Sequence, residues 1–201
     1  MTSTHLLSSY PYRIILGSAS PRRQQLLGDL GFTFTVEVPE LDEGTWPREL
    51  KEHQIPLYLA EQKSAAFQRA LADDELLITA DTIVWHNGRV YNKPADEGEA
   101  LKMLGSLSAN IHYVYTGVCI RGKFGKRVFY SESKVFFAEL TQDEKLYYVR
   151  NYRPYDKAGS YGVQDWLGYT GIERIEGSFY NIMGLPVREL YVELIRIARE
   201  K

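Results

Sequence analysis

Residues 13–30 read RIILGSASPRRQQLLGDL and join a short apolar run to a segment with helical spacing of its leucines. The apolar run predicts a buried strand. Pro21 fits the first position of a helix, where its missing N–H is not needed, and Ser20 fits the N-cap before it. This stretch therefore predicts a strand that leads directly into a helix.

The predicted junction is rich in groups that bind anions. The hydroxyls of Ser18 and Ser20 and the guanidinium groups of Arg22 and Arg23 all lie near the helix start. Free backbone N–H groups and the helix dipole favour an anion there, and phosphate is the natural ligand. An ordinary Ser-Pro helix start with two solvated arginines is the alternative interpretation of these residues alone.

Composition limits the classes of protein to which the chain can belong. It has 201 residues, of which 44% are hydrophobic, enough for a full core, and we predict a single domain over residues 1–201. The formal net charge of -2, with 24 basic and 26 acidic side chains, argues against binding to nucleic acid polymers or to a membrane. Helical and strand periodicity alternate along the chain, which predicts an α/β fold.

Cysteine and histidine usage excludes two kinds of site. The single Cys119 excludes a disulfide framework, and with no signal peptide in residues 1–12 we expect a soluble, cytoplasmic protein. The histidines lack the spacing of a zinc site and are predicted at surface or turn positions: His5, His53, His86 and His112. Neither a P-loop nor a dinucleotide-binding glycine motif occurs.

The pattern predicts further elements around this first strand and helix. These are a strand at 32–38, a helix at 57–71, a strand at 75–80 that ends at Asp81 and resumes at 83–85, an Asn87-Gly88 hairpin turn, helices capped by Asp96 and Thr141, a hairpin of 111–120 with 127–137, and a helix after Pro186.

Two charged residues stand out because they fall in apolar patterns. Lys63 lies four residues from both Leu59 and Phe67, so its ammonium emerges from the buried face of the predicted helix unless it snorkels to the rim. Asp81 follows an apolar strand, where a carboxylate needs a cation, a metal ion or a position at a cleft. Cations from separate elements, together with Glu43 and Asp81, are what metal-assisted hydrolysis of a polyphosphate requires. Magnesium suits such a site.

The chain resembles the Maf-like nucleoside triphosphate pyrophosphatases. Eight segments occur in the order found in that family: Ser18-Ala19-Ser20-Pro21-Arg22-Arg23, Leu41-Asp42-Glu43, Lys63-Ser64-Ala65, Ala80-Asp81-Thr82-Ile83-Val84, Asn92-Lys93-Pro94, Tyr115-Thr116-Gly117-Val118, Asp156-Lys157-Ala158-Gly159-Ser160-Tyr161-Gly162-Val163-Gln164, and Ile175-Glu176-Gly177 through Asn181-Ile182-Met183-Gly184-Leu185-Pro186. The resemblance spans nearly the whole chain.

The resemblance implies a fold, a reaction and a set of site residues. The implied fold is a mixed twisted α/β sheet with flanking helices and two lobes around a nucleotide cleft, as in inosine triphosphate pyrophosphatases, in a homodimer. The implied reaction is cleavage between the α and β phosphates with Mg or Mn as cofactor. Asp81 is the implied proton acceptor and holds the metal with Glu43. The implied triphosphate ligands are Ser18, Arg22, Arg23, Lys63, Lys93 and Lys157.

Three residues match the branch of the family that acts on dTTP and UTP: Arg22, Thr82 and Gln164. The branch that acts on 7-methyl-GTP has Trp in place of the first arginine, so the pyrimidine prediction is preferred. A nucleotide-sensing regulator of cell division is an alternative of a different class. The presence of both Asp81 and Glu43 favours catalysis.

The chain departs from the family pattern in three loops. These contain Leu107-Ser108-Ala109-Asn110 in place of Leu-Ser-Gly, Tyr152-Arg153-Pro154 in place of Gly-Glu-Pro, and Asp165-Trp166 after Gln164 in place of Gly. Trp166 and Tyr161 are candidates for stacking on a base, but packed aromatic side chains are the favoured interpretation.

Overall fold

The computed structural model describes residues 7, 10–41 and 45–201. The chain divides into two compact units. Unit 1 consists of Met1–Asp81, Thr116–Ser131 and Gly184–Lys201, and unit 2 consists of Thr82–Tyr115 and Glu132–Met183.

Within the described residues, seven strands form one mixed sheet: β1 Arg13–Leu16, β2 Phe34–Val36, β3 Glu75–His86, β4 Arg89–Tyr91, β5 Ile111–Gly122, β6 Gly125–Phe137 and β7 Ile172–Gly177. Their order is β2-β1-β3-β5-β6-β7, with β4 paired to β3. The β1 strand is parallel to β2 and β3, whereas the pairs β3–β4 and β6–β7 are antiparallel.

Helices flank the sheet strands along the chain, so the predicted mixed α/β fold is confirmed. They are α1 Pro21–Asp29, α2 Gln54–Ala65, α3 Glu97–Leu107, α4 Gln142–Tyr152, α5 Trp166–Thr170, α6 Phe179–Met183 and α7 Val187–Arg199, with 3-10 turns at Pro154–Asp156 and Ala158–Ser160. Among the described residues, no helix is both long and apolar enough to cross a membrane.

The predicted helix starts are confirmed in their local chemistry. Ser20 is the N-cap of α1 with Pro21 next to it, although the Ser20 side chain makes no capping hydrogen bond. Asp96 accepts a hydrogen bond from the backbone N–H of Glu99 at the start of α3. Thr141 and Glu144 form a complete capping box on α4.

The core of unit 1 lies around β1 and β3. The side chains of Ile14, Ile15 and Leu16 are buried, as are Leu76 and Leu77 of the neighbouring strand. Each such side chain contributes about 1.5–3 kcal/mol relative to its exposure to water. These buried side chains hold the carboxyl end of β1 in place, and α1 begins a few residues further along the chain.

The core of unit 2 lies between helices and strands of the sheet. Ala100 and Leu104 of α3 cluster with Tyr148 of α4 and with Val135 and Phe137 of β6. The loop that contains Lys157 follows α4 directly. Its position is therefore set by the side chains of this core.

The prediction of a helix at 57–71 is wrong at both ends, because α2 begins at Gln54 and ends at Ala65. Phe67 lies beyond the helix end and is still buried. The guanidinium of Arg69 donates hydrogen bonds to Glu37 and Glu75, which anchors the chain after the helix. The contact with Glu37, 32 positions away, is of a kind that local helical spacing does not encode.

The strand predicted to end at Asp81 continues instead as β3 to His86. The prediction that the histidines lie at surface or turn positions is wrong for His112, which is buried in β5. His86 does lie directly before the Asn87-Gly88 turn, and it is buried there. The Nδ1–H of His86 donates to the carbonyl oxygen of Ile111 at 2.9 Å, and His112 is hydrogen-bonded to the Tyr161 hydroxyl at 2.7 Å. Hydrogen bonds to partners far along the chain allow both rings to be buried.

Cys119 is buried within β5, as the apolar run around it predicts. Burial raises the pKa of its thiol. The elements α5, β7 and α6 were not predicted, since each is short and carries little periodic signal.

Candidate active site

The start of α1 is held by Ser18 rather than by the predicted cap residue. The Ser18 hydroxyl is largely buried and accepts a hydrogen bond from the Ser20 backbone N–H at 3.3 Å. It also accepts one from Nη1 of Arg23 at 3.3 Å. Nε of the same arginine donates to the carbonyl oxygen of Gly184 at 2.8 Å. Arg23 thus joins the α1 start to the turn before α7.

Lys63 and Asp81 form an ion pair in unit 1. Nζ of Lys63 lies 2.6 Å from Oδ1 of Asp81, and the two side chains are only 13% and 16% exposed. The lysine lies in the last turn of α2 and the aspartate in the middle of β3. The sequence predicts that Asp81 lies beside a cation, beside a metal ion or at a cleft, and the structure shows a cation, the Lys63 ammonium.

The position of Lys63 depends on close packing of α2 against the sheet. An ideal Cβ on Gly117 of β5 would lie 2.4 Å from the backbone carbon and oxygen of Pro56, so the helix approaches the strand too closely for any side chain there. The hydroxyl of Thr79 donates to the carbonyl oxygen of Ala60 at 2.7 Å. Both contacts hold α2 against the sheet. The ammonium of Lys63, on this helix, therefore reaches Asp81.

In unit 2, Lys157 lies between two carboxylates. Its Nζ is 2.8 Å from Oδ1 of Asp156 and 3.7 Å from Oδ2 of Asp165. The backbone N–H of Gly159 donates to the carbonyl oxygen of Asn92 at 3.2 Å. This bond joins the segment that follows Lys157 to the residue that precedes Lys93.

The loop after Lys157 is also tied to the helix before it. The hydroxyl of the fully buried Tyr148 accepts a hydrogen bond from the Gly162 backbone N–H at 3.0 Å and donates one to Oδ2 of Asp165 at 2.9 Å. Burial, with the Asp165 carboxylate beside it, raises the pKa of the Tyr148 hydroxyl. The phenol therefore remains protonated and keeps donating to Asp165.

Comparison with known proteins decides the family. The family model described as "Maf-like protein" matches residues 13–197. The chain belongs to the Maf-like protein family. A relative from Parabacteroides distasonis called dTTP/UTP pyrophosphatase is 52% identical over 184 residues, which is 91% of this chain and 95% of that protein. A Bacteroides fragilis protein of the same name is 48% identical over the same shares.

Among solved structures, the Maf-like chain is similar to the Ham1 protein of Staphylococcus aureus. The sequence identity is 13% and the TM-score is 0.40. The match covers 63% of this chain and 72% of that one.

The residues predicted for the site of the Maf-like chain are divided between its two units. Unit 1 contains Ser18, Arg22, Arg23, Lys63 and Asp81, and it joins Ser18 to Arg23 and Lys63 to Asp81. Unit 2 contains Thr82, Lys93, Lys157 and Gln164. Glu43, predicted as a metal ligand, lies outside the described residues.

Asp81 has the chemistry expected of a ligand for the divalent cation that the resemblance implies. Magnesium is bound through one or two protein carboxylates, with water and phosphate oxygens completing its shell. A carboxylate that is 16% exposed fits that role. The described part of the chain contains no group of three or more His, Cys, Asp or Glu side chains suited to a metal. A magnesium site with only one or two protein carboxylates does not need such a group.

Sequence reasoning missed two groups that shape the site region. Tyr148 occupies a core-facing position on α4, so its pattern predicts packing and does not reveal the hydrogen bonds of its hydroxyl. Asp165 departs from the family pattern, and nothing in the sequence around it predicts the contacts of its carboxylate. Tyr161 is buried against His112, which confirms the favoured interpretation of a packed aromatic side chain.

Proposed function

We propose that this Maf-like chain hydrolyses the α–β anhydride of pyrimidine nucleoside triphosphates, dTTP and UTP first, to a nucleoside monophosphate and pyrophosphate. The observation that carries the proposal is its 48% and 52% identity, over 91% of its length, to relatives called dTTP/UTP pyrophosphatase. Modified pyrimidine nucleotides are further candidate substrates.

Asp81 is the proposed proton acceptor. One water is consumed: its oxygen forms the new bond to phosphorus, the anhydride bond breaks, and its proton passes to the carboxylate. The ammonium of Lys63, 2.6 Å from Oδ1, holds that carboxylate in one orientation. General bases that are positioned in this way contribute about 10²- to 10⁴-fold to a rate.

The proposed triphosphate ligands supply positive charge and hydrogen-bond donors. The N-terminus of α1 adds a favourable helix dipole. The hydrogen bonds of Arg23 to Ser18 and to Gly184 support a role in holding this helix start in place as well. The full proposed set is Ser18, Arg22, Arg23, Lys63, Lys93 and Lys157.

A divalent cation, Mg or Mn, is the proposed cofactor, with Asp81 and Glu43 as its protein ligands. When bound, it neutralises phosphate charge and polarises the phosphoryl group under attack. The chain's own part is to present Asp81 from a rigid strand in the middle of the sheet. Cations on α1, α2 and the Lys157 loop neutralise the remaining phosphate charge.

The proposed specificity residues are Arg22, Thr82 and Gln164. A glutamine amide offers both a donor and an acceptor, which matches the mixed edge of thymine or uracil. We further propose a single functional domain over residues 1–201, a cytoplasmic location and a homodimer that binds neither nucleic acid polymers nor membranes.

A nucleotide panel tests the proposal. Purified protein with MgCl2 or MnCl2 is incubated with dTTP, UTP, dCTP, dATP, GTP and 7-methyl-GTP, and the products are separated by anion exchange. The expected result is dTMP or UMP with an equal amount of pyrophosphate. Release of orthophosphate and a diphosphate would refute the cleavage position, and preference for 7-methyl-GTP would refute the pyrimidine assignment. Nucleotide binding without turnover would favour the regulator.

A further inference from the structure

We infer that Tyr148 and Asp165 are positioning residues, which hold Lys157 and Gln164 in place for the triphosphate and the base. This inference rests on the proposed function. It concerns contacts within unit 2 alone.

The first step is the position of the Tyr148 hydroxyl. The ring lies in the unit 2 core, and the hydroxyl contacts the loop at two points, the Gly162 N–H at 3.0 Å and the Asp165 carboxylate at 2.9 Å. A buried aromatic ring has little freedom, so its hydroxyl is a fixed reference point. The loop therefore takes its position from the helix α4.

The second step is the orientation of the Asp165 carboxylate. Asp165 is the N-cap residue of α5, but its side chain makes no capping hydrogen bond. A capping bond is the usual role of aspartate at that position. Here the carboxylate turns to Tyr148 and Lys157, and it is only 17% exposed. Burial of an unpaired charge is costly. The Lys157 ammonium is the cation that stabilises the Asp165 carboxylate.

The third step is the restraint on Lys157. The side chain is 13% exposed and faces two carboxylates, of which Asp156 is 59% exposed. Ion pairs with solvated carboxylates restrain a lysine weakly. Asp165, held by Tyr148, is the more buried of the two partners, at 17% exposure. An ammonium has three donors, so these contacts are compatible with phosphate binding.

The fourth step extends the restraint to Gln164. An ideal Cβ on Gly162 would lie 2.5 Å from Oδ2 of Asp165 and 3.0 Å from Nε2 of Gln164, so the carboxylate and the amide both lie over this glycine. The hydroxyl of Tyr169 donates to the Gln164 carbonyl oxygen at 2.8 Å and holds its backbone. The Asp165 carboxylate thus pairs with the proposed phosphate ligand Lys157, and it shares the space above Gly162 with the amide of the proposed specificity residue Gln164.

Asp165→Asn tests the inference, with Asp143→Asn as the matched control for loss of one carboxylate. Asp143 is an exposed residue in the first turn of α4. We expect Asp165→Asn to raise KM for dTTP about tenfold with kcat within about threefold, and to reduce the preference for dTTP over dCTP. Asp165→Glu keeps the charge and should recover part of both. The control should match the wild type.

A binding cycle separates positioning from a general structural role. Affinity for α,β-imido-dUTP with MgCl2 is measured for the wild type, Asp165→Asn, Lys157→Ala and the double variant. If Asp165 acts through Lys157, Asp165→Asn weakens binding of the analogue when Lys157 is present. In the Lys157→Ala background the same substitution changes the affinity less than twofold. The same weakening in both backgrounds, or a lower melting temperature with unchanged KM and selectivity, would overturn the inference.

Tyr148→Phe gives a second, independent test, because it keeps the ring and removes only the hydroxyl. We expect KM for dTTP to rise about three- to tenfold. Wild-type KM and selectivity in a folded Tyr148→Phe protein would also overturn the inference. Failure of the proposed function is distinguishable, since it appears in the wild type as the absence of pyrophosphate. The binding cycle decides the positioning role in either case.

Discussion

The ammonium nitrogen of Lys63 lies 2.6 Å from Oδ1 of Asp81, and both side chains are largely shielded from water. The two residues are 18 positions apart and come from α2 and β3, which are joined by the hydrogen bond from Thr79 to Ala60. The same helix lies close to the neighbouring strand β5 because Gly117 has no side chain. In a low-dielectric setting each charge depends on the other for its stability. The ion pair therefore links the fold of unit 1 to the chemistry proposed for it.

Asp81→Asn should abolish most of the activity and leave the fold intact. The amide cannot accept the proton of the attacking water, so we expect kcat to fall about 10²- to 10⁴-fold. Pyrophosphate release and circular dichroism measure the two effects. Asp29→Asn, at an exposed position on α1, is the control and should keep the wild-type rate. More than a tenth of wild-type kcat in Asp81→Asn would contradict the role of Asp81 as proton acceptor.

Lys63→Met should lower the free energy of unfolding by about 2–4 kcal/mol, since it leaves a largely buried carboxylate without its ammonium partner. Combined with Asp81→Asn, the loss should be smaller than the sum of the single losses by about 1–3 kcal/mol. Urea denaturation of the four proteins gives this coupling energy. Strict additivity would show that the two charges do not stabilise each other.

Gly117→Ala should destabilise the protein by about 2–3 kcal/mol, because the new methyl group would meet the backbone of Pro56 at 2.4 Å. Since α2 carries Lys63, kcat should fall as well. Gly105→Ala in α3 is the control. Its added Cβ meets nothing closer than Nζ of Lys145 at 3.9 Å, so a gain of about 0.5–1 kcal/mol is expected from helix propensity. Thermal unfolding of both variants tests the contrast.

Ala109→Gly should stabilise the protein by about 1 kcal/mol. Ala109 has φ +54, a left-handed conformation that costs an alanine roughly 1–2 kcal/mol. The family pattern usually has glycine here. Ala138, whose carbonyl oxygen accepts from the Ala109 N–H, is not among the residues with positive φ, and Ala138→Gly should lose stability. A lower melting temperature for Ala109→Gly would refute the strain argument.

Stability should fall in mild acid because of His112. Burial lowers the pKa of its ring to about 3, while the unfolded chain titrates near 6.5. Between these values the unfolded state binds more protons, so the free energy of unfolding decreases as pH falls from about 6.5. From pH 7 to pH 5 this amounts to about 2 kcal/mol.

His112→Gln provides the comparison, because its amide does not titrate and retains a polar group near the Tyr161 hydroxyl. Urea unfolding at pH 7, 6 and 5 should show a shallower loss for the variant than for the wild type. Parallel losses in the two proteins would show that another group causes the acid sensitivity.

Much of the fold was predictable because its signals are local. The Ser20-Pro21 helix start, the capping residues Asp96 and Thr141 and the Asn87-Gly88 turn each involve a few neighbouring residues. The end of α2 was not predictable in this way, since it depends on Arg69 and its contacts with Glu37 and Glu75. The burial of His112 likewise depends on Tyr161, 49 positions away.

The amino-acid sequence by itself determined the alternation of strands and helices, the family, and the residue types that polyphosphate chemistry requires. Sequence left Asp81 with a cation, a metal ion or a cleft as its environment, and it contained no sign that Tyr148 holds the loop of Lys157. Only the tertiary structure decided that Lys63 pairs with Asp81 and that Asp165 turns away from its own helix. The physical reason is that periodicity and capping act over a few residues, whereas the partner of a buried charge is selected by packing between distant segments.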